Sequence, residues 1–304
     1  MKRKIIAFLM CVLILFSCTG CTEEIYENLY EYLYTQYIDY NAVNIENYDE
    51  QYDVNQEFAD PGKSIYRNFG SAKKLVGDCA LVTIFMADEE SIFTINQEEE
   101  AMSKLTEAVN YLTNKANLFG RELEIVYNEP DLIYRFNSKN IISTNFDDTN
   151  WSVDLLERIN SDKIVQEIYR NYGIDNVGFV INVNKEGQSY AVSTNKYVMK
   201  KYDNEKCVIY SQYSGSETNA YVYAHEILHL FGATDLYYPN DIIEYRKDLA
   251  EEYFPNEIML DYHYNLKNAM ISDVTAYLIG WKDKLKKEYE DFVEDYIFEP
   301  EHMY

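Results

Sequence analysis

Apolar residues follow two different spacings along the chain from about residue 70 onwards. Near-continuous apolar runs, or apolar residues at every second position, predict strands over 79–86, 123–127, 177–183, 190–194 and 207–210. Apolar residues three and four apart predict helices over 98–117, 153–172 and 219–231. Residues 270–297 again have a largely helical pattern. The pattern therefore predicts a mixed α/β (α+β) domain over 63–304, with a twisted mixed sheet of about five strands and a helical C-terminal part.

The first 21 residues have the features of an export signal. Positions 2–4 are positively charged, and the apolar run over 5–16 is shorter than the ~20 residues that a membrane span needs. The segment with Cys18 and Cys21 resembles a bacterial lipobox, in which a small residue precedes the cysteine that becomes lipidated. We favour Cys21, with Cys18 as the alternative site and an ordinary secretory signal as the other interpretation. The sequence thus predicts an exported lipoprotein anchored to the bacterial membrane at the cell surface, or else a secreted protein.

Residues 22–62 differ in composition from the rest of the chain. They contain eleven acidic residues, eight tyrosines and neither lysine nor arginine, and they end in Pro61 and Gly62. Such a segment buries little apolar surface and is typical of a solvated tether. We interpret it as a spacer between the membrane and the folded domain, with an inhibitory pro-segment as the alternative.

Charge and cysteine content narrow the classes of partner. The formal net charge of −25 repels nucleic acid, so we expect no nucleic-acid partner. Only Cys79 and Cys207 lie beyond the signal region, and the chain contains no Cys-x-x-Cys motif. Although these two cysteines could pair, we favour two small buried core residues. Thiolates are therefore not the expected metal ligands.

The strongest chemical signal lies in the predicted helix over 219–231. His225 and His229 are four residues apart, so their imidazoles project from the same face and can bind one Zn²⁺ ion. Glu226 lies on the flank of that face, where it can hold the attacking water. A catalytic zinc needs a third protein ligand. Gly232 can end the helix in a left-handed conformation, and Asp235 then supplies a carboxylate oxygen.

The spacing of these residues over 225–235 resembles the metzincin zinc proteases, in the form where aspartate replaces the third histidine. Snapalysin-type enzymes have that form. The resemblance implies a methionine-bearing turn beneath the metal, for which Met259 is the first candidate and Met270 the second. It also implies that the strand over 190–194 is an edge strand that pairs with an extended peptide substrate.

A second interpretation concerns the third ligand. Residues 256–261 partly resemble the Asn-Glu-x-x-Ser-Asp segment of thermolysin-like (gluzincin-type) enzymes, in which the glutamate, here Glu257, binds the metal. Leu260 stands where those enzymes have serine, and Gly232 predicts an earlier helix end than theirs. We therefore favour Asp235 over Glu257.

These residues predict a monomeric zinc metalloendopeptidase that hydrolyses peptide or protein substrates. Glu226 is the expected general base, and Tyr262 and Tyr264 are candidates for stabilising the transition state. Substrate preference is expected to depend on the loop over 236–258. The competing hypothesis is a non-catalytic surface lipoprotein that binds a peptide or a host protein with the same fold.

Overall fold

The computed structural model describes residues 70–144, 151, 155, 158–159, 163–193, 204–237, 241–260 and 265–293. All of them belong to one compact unit, Glu57–Tyr304. The predicted signal peptide, both lipobox cysteines and the acidic segment over 22–62 lie outside the described residues. Among the helices that are described, none has the length and apolar character needed to cross a membrane.

The centre of the fold is a mixed sheet. Its strands are β1 (Gly77–Ala87), β2 (Leu123–Val126), β3 (Ile133–Asn137), β4 (Val177–Glu186), β5 (Tyr190–Val192), β6 (Lys206–Tyr213) and β7 (Ser216–Glu217). The order across the sheet is β2-β1-β4-β6-β5. β2 and β3 pair in succession along one edge of β1, while β5 and β7 pair with β6. β1 to β4 and β6 are parallel, and β5 and β7 are antiparallel to β6. The predicted mixed sheet, about five strands wide, is confirmed.

The helices pack on both faces of this sheet. They are α1 (Ile95–Leu118), α2 (Ile164–Tyr172), α3 (Ala220–Leu230), α4 (Asp241–Tyr253) and α5 (Asp273–Leu278), with 3-10 turns at Pro130–Leu132 and Lys287–Phe292. α1 begins at a capping box, in which the Thr94 side chain accepts from the Gln97 amide and the Gln97 side chain accepts from the Thr94 amide. α3 begins at Asn219, whose side chain accepts from the amides of Tyr221 and Val222.

Alternating strand residues divide the core into two layers. Cys79 and Leu81 of β1 face the layer that contains α1 and α3, whereas Ala80 and Val82 face the layer that contains α2. Gly178 of β4 lets α3 approach closely, because a Cβ there would lie 2.9 Å from Leu230 Cδ1. Cys79 and Cys207 are free and buried, so the preferred interpretation as core residues is confirmed.

Two predicted helices are wrong in extent. Within the range 153–172, Leu155, Arg158 and Ile159 are helical, but Lys163 has a φ of 53° and α2 begins only after it. A left-handed residue interrupts an α-helix. Among the residues of 270–297 that the structure describes, the α-helix covers only α5, and Lys287–Phe292 is a 3-10 turn. α5 ends before Gly280, at a φ of 90°, and Trp281 then turns into the core and donates from Nε1 to the Leu75 carbonyl at 2.6 Å.

Two strands and one α-helix are missing from the prediction: β3, the two-residue β7 and α4. β3 pairs with the second half of β1. α4 occupies most of the stretch between Asp235 and Met259, for which the sequence predicts a loop. Good helix formers and the absence of glycine and proline were the signal that α4 offered.

Candidate metal centre

The two histidines and the glutamate of the motif are buried within α3. Ten of its eleven residues are buried, because α3 packs between α1 and the sheet. His225, Glu226 and His229 are 4%, 5% and 3% exposed. A polar side chain in such a position is costly unless it has partners. The burial of three of them on one helix therefore marks a site rather than a solvated face.

The chain turns back immediately after α3. Gly232 has a φ of 102°, its amide donates to the His229 carbonyl at 3.0 Å, and the Ala233 amide donates to the Leu228 carbonyl at 3.0 Å. This pair of hydrogen bonds is the Schellman arrangement, which favours glycine at the left-handed position. The predicted helix end at Gly232 is confirmed, and the turn directs Asp235 towards the histidines.

Three potential ligand atoms converge at this point. Asp235 Oδ1 lies 3.3 Å from His225 Nε2 and 3.0 Å from His229 Nε2, and the two Nε2 atoms are 3.2 Å apart. Tetrahedral zinc with bonds of about 2.0–2.1 Å has neighbouring ligand atoms about 3.3 Å apart. The side-chain types and their separations therefore fit such an ion.

The other nitrogen of each imidazole is held by a backbone carbonyl. His225 Nδ1 lies 2.9 Å from the Ile258 oxygen, and His229 Nδ1 lies 2.8 Å from the Ala233 oxygen. Since a carbonyl can only accept, each Nδ1 carries a proton, and in the neutral imidazole each Nε2 then directs a lone pair towards Asp235. Lone pairs 3.0–3.3 Å apart repel one another unless positive charge lies among them. One proton can join only one pair of these atoms, whereas a metal ion can bond all three.

The electrostatics of His225 agree with this argument. Burial lowers the pKa of His225, but the hydrogen bond with Asp235 and the negative charges of Glu226 and Asp235 outweigh the burial and raise it. The site therefore favours a positive charge on or beside the imidazole.

Glu226 lies beside the three converging atoms. One of its carboxylate oxygens is within 4.8 Å of a ring nitrogen of both His225 and His229. Glu226 is thus a neighbour of the candidate metal position, with a carboxylate that can accept a proton. Cys207 of β6 is not part of this cluster. Burial and the negative charge of Glu226 raise the pKa of its thiol.

A tight turn over 257–260 contacts His225 through the Ile258 carbonyl. The Leu260 amide donates to the Glu257 carbonyl at 3.1 Å, and the turn holds Met259, which is fully buried. The Leu236 amide donates to the Met259 carbonyl at 2.8 Å, which ties the turn to the residue after Asp235. Met270, the second candidate for this turn, is 54% exposed.

Glu257 is directed away from the histidines. Its Oε1 accepts from Thr275 Oγ1 at 2.8 Å, and its Oε2 accepts from the Ser272 amide. The structure thus brings Asp235, and not the Glu257 carboxylate, to the histidine pair.

Comparison with known proteins adds no assignment: no protein-family model matches this chain, and no curated protein is similar to it in sequence.

Two tyrosine rings beside His225 were missed by the sequence analysis. The Tyr221 and Tyr237 rings have centroids 6.5 Å and 6.3 Å from the His225 ring, with interplanar angles of 22° and 28°. Tyr221 also donates from its hydroxyl to the Ile258 oxygen at 2.8 Å. In a chain with 31 tyrosines, composition alone could not single out these two. Tyr262, His263 and Tyr264 lie outside the described residues.

A small polar cavity lies near the start of α3, away from the metal ligands. It has a volume of about 80 Å³ and is lined in part by Asn182 and Tyr223, whose hydroxyl donates to Asn182 Oδ1 at 2.6 Å. A drug-sized ligand needs a cavity of roughly 300 Å³ or more, so this one has room only for a few water molecules. The histidine cluster, and not this cavity, is therefore the candidate functional site.

Proposed function

We propose that this protein is a zinc-dependent endopeptidase of the metzincin type, with His225, His229 and Asp235 as metal ligands. The observation that carries the proposal is the convergence of their ligand atoms within 3.0–3.3 Å, beside the buried carboxylate of Glu226. The methionine turn against His225 adds support from a separate segment. The gluzincin alternative is disfavoured, because the Glu257 carboxylate is bonded to Ser272 and Thr275.

Each side chain has a distinct role in this proposal. A zinc ion in this position supplies Lewis acidity, which polarises the scissile carbonyl and lowers the pKa of water. Glu226 accepts the proton of the attacking water and passes it to the nitrogen of the leaving amine. The Ile258 and Ala233 carbonyls keep both imidazoles in the tautomer that presents Nε2.

The peptide is proposed to bind beside β5. This short strand is antiparallel to β6, stands at the end of the sheet order and packs against α3. Ser193, which follows it, donates from Oγ to the Leu230 carbonyl at 3.1 Å and ties it to the metal-bearing helix. An extended peptide can add to such an edge through main-chain hydrogen bonds. Thr194, the last residue of the predicted strand, lies outside the described residues.

The setting proposed for this activity is the outer face of a bacterial membrane. The support is the sequence of the first 21 residues and the acidic segment that follows them. A monomer anchored through Cys21 or Cys18 would reach its substrates across that segment.

The decisive experiment measures zinc content and peptide cleavage together. The wild-type chain and Glu226→Gln are loaded with zinc and incubated with a diverse peptide library. We expect both to bind zinc and only the wild type to cleave, with a loss of roughly 10²–10⁴-fold in the variant. If the zinc-loaded wild type cleaves nothing, the non-catalytic binding protein is the better description. If it binds no zinc, the metal assignment fails.

A further inference from the structure

A backbone atom outside α3 accepts a hydrogen bond from the ring of His225. The Ile258 carbonyl oxygen accepts from His225 Nδ1 at 2.9 Å and from the Tyr221 hydroxyl at 2.8 Å. In metal sites, the partner of the second imidazole nitrogen sets the orientation of the ring. Whatever fixes Ile258 therefore also fixes His225 Nε2, which is the atom that faces Asp235.

Backbone hydrogen bonds hold the Ile258 segment at its edge. The Ile258 amide donates to the Met270 carbonyl at 3.0 Å, and the Met270 amide donates to the Asn256 carbonyl at 2.7 Å. These bonds form one isolated parallel bridge, Glu257↔Met270, rather than part of the large sheet. The Leu236 amide, which donates to the Met259 carbonyl at 2.8 Å, holds the same segment from another side. A buried side chain adds a restraint towards α5.

Glu257 supplies that restraint from inside the protein. It is fully buried, and its two carboxylate oxygens accept from Thr275 Oγ1 and from the Ser272 amide. Ser272 caps α5 by accepting from the Thr275 amide at 3.2 Å. The carboxylate thus clamps the turn that holds His225 to the first turn of α5.

Burial of the Glu257 carboxylate disfavours its ionised form. Burial raises the pKa of Glu257 to about 7, and the hydrogen bonds from Thr275 and Ser272 act in the opposite direction. The negative charge of Glu257 also acts on two residues of α1. It raises the pKa of Tyr111, and it opposes the lowering of the Lys115 pKa by burial. Lys115 donates from Nζ to the Ala269 carbonyl at 2.8 Å.

We infer that Glu257 is a positioning residue of the metal site, acting through the Ile258 carbonyl to aim the His225 imidazole. The inference rests on the proposed function, because it concerns the same metal. It assigns a task to the one acidic residue of the 256–261 segment that resembles a metal ligand yet has its carboxylate bonded elsewhere.

The chain contains a matched control. Glu205 is also fully buried, and its carboxylate also accepts from one hydroxyl and one backbone amide, those of Ser71 and Ala72. These bonds hold the segment before β1 to the start of β6. Loss of either carboxylate therefore removes hydrogen bonds from one hydroxyl and one backbone amide, and Glu257 is the one joined to the turn beside His225.

The experiment compares zinc affinity, measured by competition with a chromophoric chelator, with the visible spectrum of the Co²⁺-loaded full-length chain. We expect Glu257→Ala to weaken zinc binding by roughly 10- to 100-fold and to change the Co²⁺ spectrum. Glu257→Gln should recover most of the affinity, since its amide oxygen can accept from the Ser272 amide and its NH₂ can donate to Thr275 Oγ1. Glu205→Ala should lower thermal stability and leave both metal readouts unchanged.

Thr275→Val covers the case in which Glu257→Ala does not fold. It removes one hydrogen bond to Glu257 with little change in volume, and a several-fold loss of zinc affinity is expected. Wild-type affinity and spectrum in a folded Glu257→Ala or in Thr275→Val would overturn the inference, as would an equal loss of affinity in Glu205→Ala. These outcomes leave the proposed function intact, whereas a wild type that binds no zinc removes both.

Discussion

The candidate metal centre is built from two halves that differ in local structure and in their hydrogen bonds. The helical half, with His225, Glu226 and His229, lies in α3 between α1 and the sheet and is fixed by apolar packing. The other half contains Asp235 and the turn that holds Ile258, and neither lies in a helix or a strand. Leu236, Ile258 and Met259 of the second half are buried in the same apolar core. Hydrogen bonds add to that packing: Leu236 to Met259, Ile258 to Met270 and the carboxylate of Glu257.

The comparison teaches where the site is sensitive. Apolar packing is spread over many weak contacts, whereas a set of a few buried hydrogen bonds depends on each donor and acceptor. Mutations in the second half should therefore act on metal binding first, and mutations of Glu226 in the helical half on turnover.

Loss of the ligand from the second half has the largest expected effect on metal binding. Asp235→Ala removes the oxygen that lies 3.0–3.3 Å from both Nε2 atoms. Loss of a residue that only hydrogen-bonds to a metal ligand lowers affinity by up to ~100-fold, so loss of Asp235 should lower zinc affinity by more than that. Chelator competition measures this, with Asp78→Ala as the control because it removes the same charge from an exposed position. If Asp235→Ala binds zinc as tightly as the wild type, the third ligand is a residue other than Asp235.

The buried acid of the second half should make stability depend on pH. Because the pKa of Glu257 is raised from 4.5 to about 7 in the folded chain, the fold favours its protonated form. This contribution to stability is complete below pH ~4.5 and is lost as the pH rises through about 7, which amounts to roughly 3 kcal/mol at 1.36 kcal/mol per unit of pKa.

Denaturant unfolding of the metal-free chain at pH 5 and pH 8 measures this dependence. Glu257→Gln cannot ionise, so its free energy of unfolding should fall less between these pH values than that of the wild type. An identical fall in the two proteins would mean that the dependence arises elsewhere.

Sequence patterns predicted the helical half far better than the second half. The helix that carries His225 and His229 and the glycine that follows it are local features, and each is found where it is predicted. β1, β4 and β6 were also found, because strands buried on both faces have continuous apolar runs.

The rest depends on contacts between distant residues. The partners of Glu257 are 15 and 18 residues further along the chain, and no local pattern shows that its carboxylate is already bonded. β3 is defined by its pairing with the second half of β1, and its own residues are intermediate or exposed. Lys163 has a left-handed backbone conformation although it is not a glycine, so the sequence does not reveal the helix break there.

The smallest expected effect concerns the junction between the two halves. Gly232 has a φ of 102°, which an alanine adopts only at a cost of about 1–3 kcal/mol, so Gly232→Ala should be less stable by that amount. Since the strain falls between His229 and Asp235, zinc affinity should fall as well. Gly173 provides the control: it ends α2 at a φ of 73°, and a Cβ there has no neighbour within 4 Å.

Gly173→Ala should therefore lower the free energy of unfolding by a similar amount and leave zinc affinity unchanged. Urea unfolding and chelator competition on the two variants separate these effects. If both variants lose stability and neither loses affinity, the link between the halves is not the turn at Gly232. The hydrogen bonds of the second half would then be sufficient to place Asp235, because the path from His229 could relax without moving the carboxylate.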